Sequence, residues 1–188
     1  LHYPLRRQRQ MCIRDSILDM IDWASDISVD TPKKTTINAN IPTTRQVIEF
    51  TDRYMKDTAR FTGYDASEGA LYVLFMLTLA MHPMGPSIFS VDSFDHALNP
   101  RLAKKMIQVF CEQIIQNNKH VFLTTHNPLV LDGLDLQNDD IRLFAVDRDS
   151  NGYAQIRRIS VSQELIDEGL PLSRLWISGR LGGVPSLL

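Results

Sequence analysis

The apolar residues of this chain cluster in segments whose spacing predicts alternating helices and strands. The nearly continuous apolar run LYVLFMLTLAM at Leu71–Met81 predicts a buried helix, which Pro83 and Pro86 would end. Over Arg101–Asn117, apolar residues recur every three or four positions, which predicts an amphipathic helix. These positions are Leu102, Met106, Val109, Phe110 and Ile114.

Short apolar runs around the amphipathic helix predict strands. Ser87–Val91 precedes that helix and His120–Thr125 follows it, and both runs are expected to form buried strands. Ile141–Val146 and Tyr153–Ile159 flank a polar turn, which predicts a β-hairpin. Strand, helix and strand joined by short connections predict an α/β fold with parallel central strands.

The first third of the chain has a weaker pattern. Ile17–Ala24 is apolar and periodic, which predicts the end of a helix, whereas the polar, proline-containing segment Ser25–Thr44 predicts a loop. Gln46–Phe61 has apolar residues at roughly helical spacing and predicts another helix. Residues 1–16, LHYPLRRQRQMCIRDS, have no starting Met and no apolar period. They are similar to translated sequencing-adapter scars, or form a flexible basic arm, and are left out of the fold prediction.

The composition is that of a globular protein without a charge signal for nucleic acid. The 188 residues are enough for one sizeable core, and 44% of them are hydrophobic. The net charge of -2 gives no support for DNA binding. No apolar run is long enough to cross a bilayer. Cys12 and Cys111 form no motif, so neither a disulfide framework nor a zinc site is expected. The expected location is the reducing cytoplasm.

Three short motifs contain candidate chemistry, and the first, DASEG at Asp65–Gly69, opens the apolar helix. Ser67 and the N–H groups of the helix N-terminus form a potential anion site, and Gly69 allows close approach. The same residues also fit an ordinary N-cap followed by an acid in the first turn.

The other two motifs follow the two central strands. Asp92 ends the first strand, where α/β folds place ligands, so its carboxylate fits either Mg²⁺ bound through water or a solvated loop acid. Leu98–Pro100 then opens the amphipathic helix. His126, in TTHNP, directly follows the second strand and is expected at the same sheet edge as Asp92. Taken alone, His126 also fits a hydrogen-bonded loop histidine.

In order and spacing, these motifs resemble the C-terminal half of an ABC-type ATPase domain, in the branch of RecF-, SMC- and OLD-like AAA-family ATPases. Gly69 precedes Asp92 by 23 residues and His126 follows Asp92 by 34, close to the intervals of that family. The resemblance covers roughly Ala66–Pro185 and is nearest to ATPases of Septu- and retron-associated anti-phage systems. It implies a three-layer P-loop NTPase fold of the α/β class, with parallel core strands, flanking helices and a C-terminal β-hairpin.

The resemblance also implies roles for individual residues. Ser67 and Gly69 correspond to the signature loop that caps a γ-phosphate across a dimer interface, and Asn99 lies in the D-loop. Asp92 corresponds to the acid on the Mg²⁺ side, and His126 to the switch residue that touches the γ-phosphate. The implied cofactors are ATP and Mg²⁺. The implied partners are a second copy, in a homodimer or higher oligomer, and an effector nuclease, with no membrane contact.

The sequence departs from the family pattern at the position after the strand acid. A Glu is usual there and polarises the attacking water, but this chain has Ser93, whose hydroxyl is not a useful base at neutral pH. Asp95, two residues on, is the candidate substitute. If Asp95 does not act, the protein is an ATP-gated clamp with little or no hydrolysis. Glu68 also stands where a Gly is common.

A second departure concerns the phosphate cradle. No Gly of the chain is followed by Lys, so the P-loop motif G-x-x-x-x-G-K-[ST] is absent from these 188 residues. We therefore expect the chain to be a fragment that does not hydrolyse ATP by itself. The expected organisation is the excluded segment at 1–16, a helix and connector at 17–65, and the C-terminal part of the ATPase domain at 66–188.

An acidic turn, DRDSNG at Asp147–Gly152, matches the opening of a calcium-binding loop. The twelfth position of that loop is Arg158 rather than a carboxylate, so a hairpin turn is the better interpretation. The same acids could suggest a Toprim nuclease domain, but only 62 residues follow His126, too few for one.

Overall fold

The computed structural model describes residues 3–31, 46–55, 60–160 and 169–183. The chain divides into two compact units, Leu1–Gly85 and Pro86–Leu188. No helix in the described part of the chain is both long enough and apolar enough to cross a membrane.

The described residues of the first unit form two helices and an antiparallel sheet of three strands. The elements are α1 (Tyr3–Met20), β1 (Ala24–Asp30), β2 (Val47–Asp52), β3 (Arg60–Thr62) and α2 (Glu68–Met81). Strand β2 is central and pairs with β1 on one side and β3 on the other. The largest fully buried side chains of this unit are Ile17, Phe50, Thr62, Val73, Met76 and Leu77.

The predicted helix over Gln46–Phe61 is wrong. Val47–Asp52 is the central strand of the sheet, and Phe61 lies in β3. The segment VIEFTD is rich in β-branched and aromatic residues, which favour strands, and pairing on both sides satisfies its backbone. Residues 56–59 of the predicted helix lie outside the described residues.

The predicted loop over Ser25–Thr44 begins instead with strand β1. Its side chains are mostly polar, and pairing runs from Asp26 opposite Thr51 to Asp30 opposite Val47. Backbone pairing at a sheet edge therefore forms this strand without an apolar alternation. The rest of the predicted loop, from residue 32, lies outside the described residues.

The two helices of this unit agree with the apolar pattern. The predicted helix end within Ile17–Ala24 is confirmed, because α1 ends at Met20. Helix α1 begins at Tyr3 and so includes much of the segment left out of the fold prediction, and Arg14 of that segment forms an ion pair of 2.5 Å with Asp26. The predicted apolar helix is confirmed as α2, although Phe75 remains exposed.

The second unit contains the parallel strands. Its elements are β4 (Ile88–Val91), α3 (Pro100–Gln116), β5 (His120–Leu123), α4 (Pro128–Leu131), β6 (Leu143–Arg148), β7 (Ala154–Ile159) and α5 (Leu172–Ile177). Strands β4 and β5 are parallel, and β6 and β7 form an antiparallel hairpin. The predicted parallel strands, amphipathic helix and hairpin are thus confirmed.

The prediction that β4 and β5 are buried is wrong for one face of each strand. Ile88 is 64% exposed and Phe122 is 72% exposed. On the other face, the ring of Phe89 meets that of Phe110 in α3 edge to face, with centroids 6.4 Å apart. Helix α3 therefore covers one side of the pair, whereas parallel sheets are usually covered on both sides.

Candidate functional site

The chain turns sharply after β4, and Ser93 makes the turn. Its φ of 55° lies in the left-handed region, which residues other than Gly rarely adopt. The Ser93 N–H donates to Thr124 Oγ1 at 2.9 Å, and the Phe94 N–H donates to the Thr124 carbonyl at 2.8 Å. Phe94 is fully buried, with its ring 5.4 Å from that of Phe110. The turn is therefore fixed both to the end of β5 and to the core.

Two consecutive threonines at the end of β5 each hold one carboxylate of this turn. Thr124 Oγ1 donates to Asp92 Oδ1. Thr125 Oγ1 donates to Asp95 Oδ1 at 2.6 Å. Hydrogen bonds to an ionised acceptor are stronger than those between neutral groups, so both carboxylates are oriented by their partners. Asp92 and Asp95 consequently lie at the same edge of the β4–β5 pair.

The two carboxylates differ in exposure. The side chain of Asp92 is exposed, and that of Asp95 is half-buried. Among the described residues, no group of three or more His, Cys, Asp and Glu side chains could hold a metal ion. A single exposed carboxylate does fit Mg²⁺ of the kind held by one or two carboxylates, water and substrate phosphates. The assignment of Asp92 to Mg²⁺ stays a prediction.

His126 lies in a loop that is fixed on both sides. Its side chain is exposed, three residues after the end of β5. The N–H of Asn127 donates to Thr125 Oγ1 at 3.1 Å, and Asn127 Oδ1 accepts from the Leu129 N–H at 3.0 Å to cap α4. Thr125 thereby connects the Asp95 carboxylate to the loop that presents His126.

Asn99 is the N-cap of α3. Its Oδ1 accepts from the Leu102 N–H at 3.0 Å, and Pro100 occupies the first helical turn, as the LNP sequence predicts. Ala97, with φ of 61°, bends the chain just before this cap. The capping role accounts for the Asn99 side-chain oxygen without any ligand.

Ser67 caps α2 in the first unit. Its Oγ accepts from the Ala70 N–H at 3.3 Å, which realises the N-cap interpretation of DASEG. Glu68 begins the helix with an exposed side chain, and Gly69 is half-buried. The use of this helix N-terminus as a signature loop stays a prediction.

The structure therefore brings together the side chains of Asp92 and Asp95 and the loop of His126 within the second unit. Ser67 and Gly69 belong to the first unit. The roles of Thr124 and Thr125 are not predicted from the sequence, although both residues stand in the TTHNP motif. Since Val91 pairs with Leu123 in parallel register, the residues that follow both strands leave the sheet side by side.

The acidic hairpin turn is structural, as the sequence predicts. Asp149 accepts hydrogen bonds from the backbone N–H groups of Tyr153 and Asn151, each at 2.9 Å. These hydrogen bonds lower the pKa of Asp149, and the bond from Tyr153 has the largest effect. Asp147 Oδ1 accepts from the Gly183 N–H at 2.6 Å. Both acids are thus used to hold backbone, rather than to form a calcium or nuclease site.

A family model described as "AAA domain, putative AbiEii toxin, Type IV TA system" matches residues 15–132, more than half of the chain. No curated protein matches the chain.

Solved structures of SMC proteins share the fold. One, from work on ATP-driven dimerization and DNA stimulated activation of SMC ATPases, superposes with a TM-score of 0.51 at 11% identity, over 90% of this chain and 96% of that one. Another is the Smc head domain with an extended coiled coil, bound to the C-terminal domain of ScpA, derived from Pyrococcus furiosus. Its TM-score is 0.53 at 10% identity, over 89% of this chain and 36% of that one. The predicted P-loop NTPase type of α/β fold is thereby confirmed.

Proposed function

The chain belongs to this family of AAA domains, an ATPase-type nucleotide-binding domain, and on that premise we propose that residues 66–188 are the C-terminal part of an ABC-type domain that binds and hydrolyses ATP. The main support is the pair of carboxylates after β4 that are held by two threonines after β5, in the loop that also contains the exposed His126. That edge is where α/β folds bind ligands.

Each residue of this edge has a definite task in the proposed reaction. Asp92 would hold Mg²⁺ through water, and the ion would supply neutralisation of phosphate charge. Asp95 orients the attacking water and accepts its proton. The water oxygen bonds to the γ-phosphorus as the bond from phosphorus to the β–γ bridging oxygen breaks, which leaves ADP and inorganic phosphate. His126 donates a hydrogen bond to the γ-phosphate.

The site is completed by a second copy of the protein. Ser67 and Gly69, at the N-terminus of α2, cap the γ-phosphate held by the other copy, since helix N-termini favour anions. The dimerisation of SMC ATPases named above supports this assignment. An effector nuclease is the proposed further partner, in an anti-phage or DNA-maintenance role. A net charge of -2 gives no support for direct DNA contact. The unpaired Cys12 and Cys111 fit a reducing cytoplasm.

The P-loop is proposed to lie on a segment of the protein outside these 188 residues. The exposed faces of β4 and β5 support this arrangement, because parallel strands are usually covered on both sides. Their exposed apolar side chains are Ile88 and Phe122, and the hairpin adds Phe144, Val146 and Ile156. The longer protein would bury them against the P-loop segment.

A second candidate function is an ATP-gated clamp that closes on ATP without hydrolysing it. This function is favoured by Ser93, which stands where a glutamate is usual and whose left-handed backbone forms the turn. The hydrogen bond from Thr125 to Asp95 favours hydrolysis instead, because it places a carboxylate at the same edge.

Substitution of Asp92 tests the proposed nucleotide site. In the protein extended to include its P-loop, Asp92→Asn should weaken Mg²⁺-dependent ATP binding by about 10-fold or more, since the charge that holds the ion through water is lost. Titration calorimetry with ATP, with and without Mg²⁺, measures the change. Asp140→Asn removes the same charge from an exposed loop residue and should leave affinity unchanged. Equal affinities for both variants would contradict the assignment of Asp92.

A further inference from the structure

Asp95 lies near Asp92 because of the way the intervening turn is folded. Ser93, between the two acids, has left-handed backbone with φ of 55°, and Ala97, just after Asp95, has φ of 61°. Within the turn, the His96 N–H donates to the Ser93 carbonyl at 2.8 Å, and the Leu98 N–H donates to the Asp95 carbonyl at 3.1 Å. The turn returns Asp95 to the strand ends.

Thr125 is the residue that fixes the Asp95 carboxylate in the described structure. The Thr125 oxygen accepts from the Asn127 N–H at 3.1 Å. A hydroxyl has one proton, and that proton is directed at Asp95 Oδ1, 2.6 Å away. The hydroxyl oxygen therefore accepts from the Asn127 N–H, and the hydroxyl proton is donated to the Asp95 carboxylate. Its bond engages one carboxylate oxygen and leaves the other, Oδ2, to accept a proton from water.

We propose that Thr125 is a positioning residue that holds Asp95 as the proton acceptor for the attacking water, in place of the glutamate that Ser93 replaces. This inference rests on the proposed ATPase function. Thr125 does not touch ATP or water in this scheme and acts through Asp95. The proton passes from water to Asp95 Oδ2 while the new oxygen–phosphorus bond forms, and the β–γ bridging oxygen leaves with ADP.

A double-mutant cycle in the extended protein tests the coupling of Thr125 to Asp95. Single-turnover hydrolysis of bound ATP is measured for Thr125→Val, Asp95→Asn and the double variant, with ATP affinity and thermal unfolding measured in parallel. Asp95→Asn should slow hydrolysis by roughly 10²–10⁴-fold, as expected for loss of a general base. Thr125→Val should slow it by about 10- to 100-fold, as expected for loss of an orienting partner.

The double variant should be no slower than Asp95→Asn, because Thr125 acts only through that carboxylate. Thr125→Ser keeps the hydroxyl and should stay within about threefold of the unsubstituted rate. Each variant should keep its ATP affinity, since the interaction matters in the transition state. Thr78→Val is the matched control, because its hydroxyl donates to the Leu74 carbonyl in α2. Thr125→Ala replaces the valine variant should that one not fold.

The outcomes separate this inference from the proposed function. The positioning role is overturned if Thr125→Val leaves the rate of ATP hydrolysis unchanged. It is also overturned if Thr125→Val slows hydrolysis by the same factor in the unsubstituted protein and in the Asp95→Asn variant. Either result leaves the ATPase function intact. ATP bound but not hydrolysed by the unsubstituted protein supports the clamp and overturns the role of Asp95. Absence of ATP binding overturns both the inference and the proposed function.

Discussion

Thr124 and Thr125 show how single hydroxyl groups set the geometry of the candidate site. The sequence predicts Asp92 and His126 at one sheet edge, because residues that end parallel strands are placed there by the fold alone. The position of Asp95 could not be predicted in the same way. It depends on left-handed backbone at Ser93 and on a hydrogen bond between residues 30 apart in the chain.

Cys111 provides a test of local burial at the residue scale. Desolvation by burial, together with the neighbouring Glu112, raises the pKa of the Cys111 thiol from 9.0 to about 11. Because the thiolate is the reactive form, Cys111 should be alkylated at pH 8 at least about 10-fold more slowly than the exposed Cys12. The raised pKa also means that the folded state loses stability as pH rises from 9.0 towards 11.

Mass spectrometry of the protein after timed reaction with iodoacetamide measures both thiols at once. Cys12→Ser serves as the control that isolates Cys111, and denaturation in urea should restore rapid labelling of Cys111. Equal rates for the two thiols in the folded protein would show that α3 is not packed as described.

At the scale of elements, long periodic segments were predictable and short polar ones were not. Helix α2 is predicted by a long apolar run, and helix α3 by apolar residues every three or four positions, which place them on one helix face. Strands β1 and β2 depend on pairing between distant segments, which a local apolar pattern does not encode. The segment VIEFTD accordingly satisfies a helical spacing in sequence and forms a strand in the fold.

Asp132 ties the C-terminal helix α5 to the end of α4. Its carboxylate accepts from the Ser173 N–H at 2.8 Å and from the Ser173 hydroxyl at 2.7 Å, which supplies the cap that Pro171 lacks. Asp132→Ala should lower the free energy of unfolding by about 1–2 kcal/mol, as for other lost caps. Urea denaturation measures the change, with the exposed loop variant Asp139→Ala as control. Equal losses in both variants would show that the cap contributes nothing.

At the scale of the whole molecule, the proposed ATP site is divided between two copies of the protein. In the proposed dimer, Asp92, Asp95 and His126 lie on the side that holds the nucleotide, and Ser67 and Gly69 lie on the side that caps it. A symmetric dimer then contains two equivalent sites, each built from both copies. Substitutions on opposite sides of the site should therefore complement one another.

Mixed dimers of two inactive variants of the extended protein test this claim most directly. Ser67→Arg removes the capping side and Asp95→Asn removes the catalytic side, so each variant alone should hydrolyse almost no ATP. After equal amounts are mixed and exchanged, half of the dimers contain one intact site, and steady-state hydrolysis should return to about a quarter of the unsubstituted rate. Mass spectrometry would show that subunits have exchanged between the dimers. If the exchanged mixture hydrolyses no more ATP than either variant alone, the shared ATP site is contradicted.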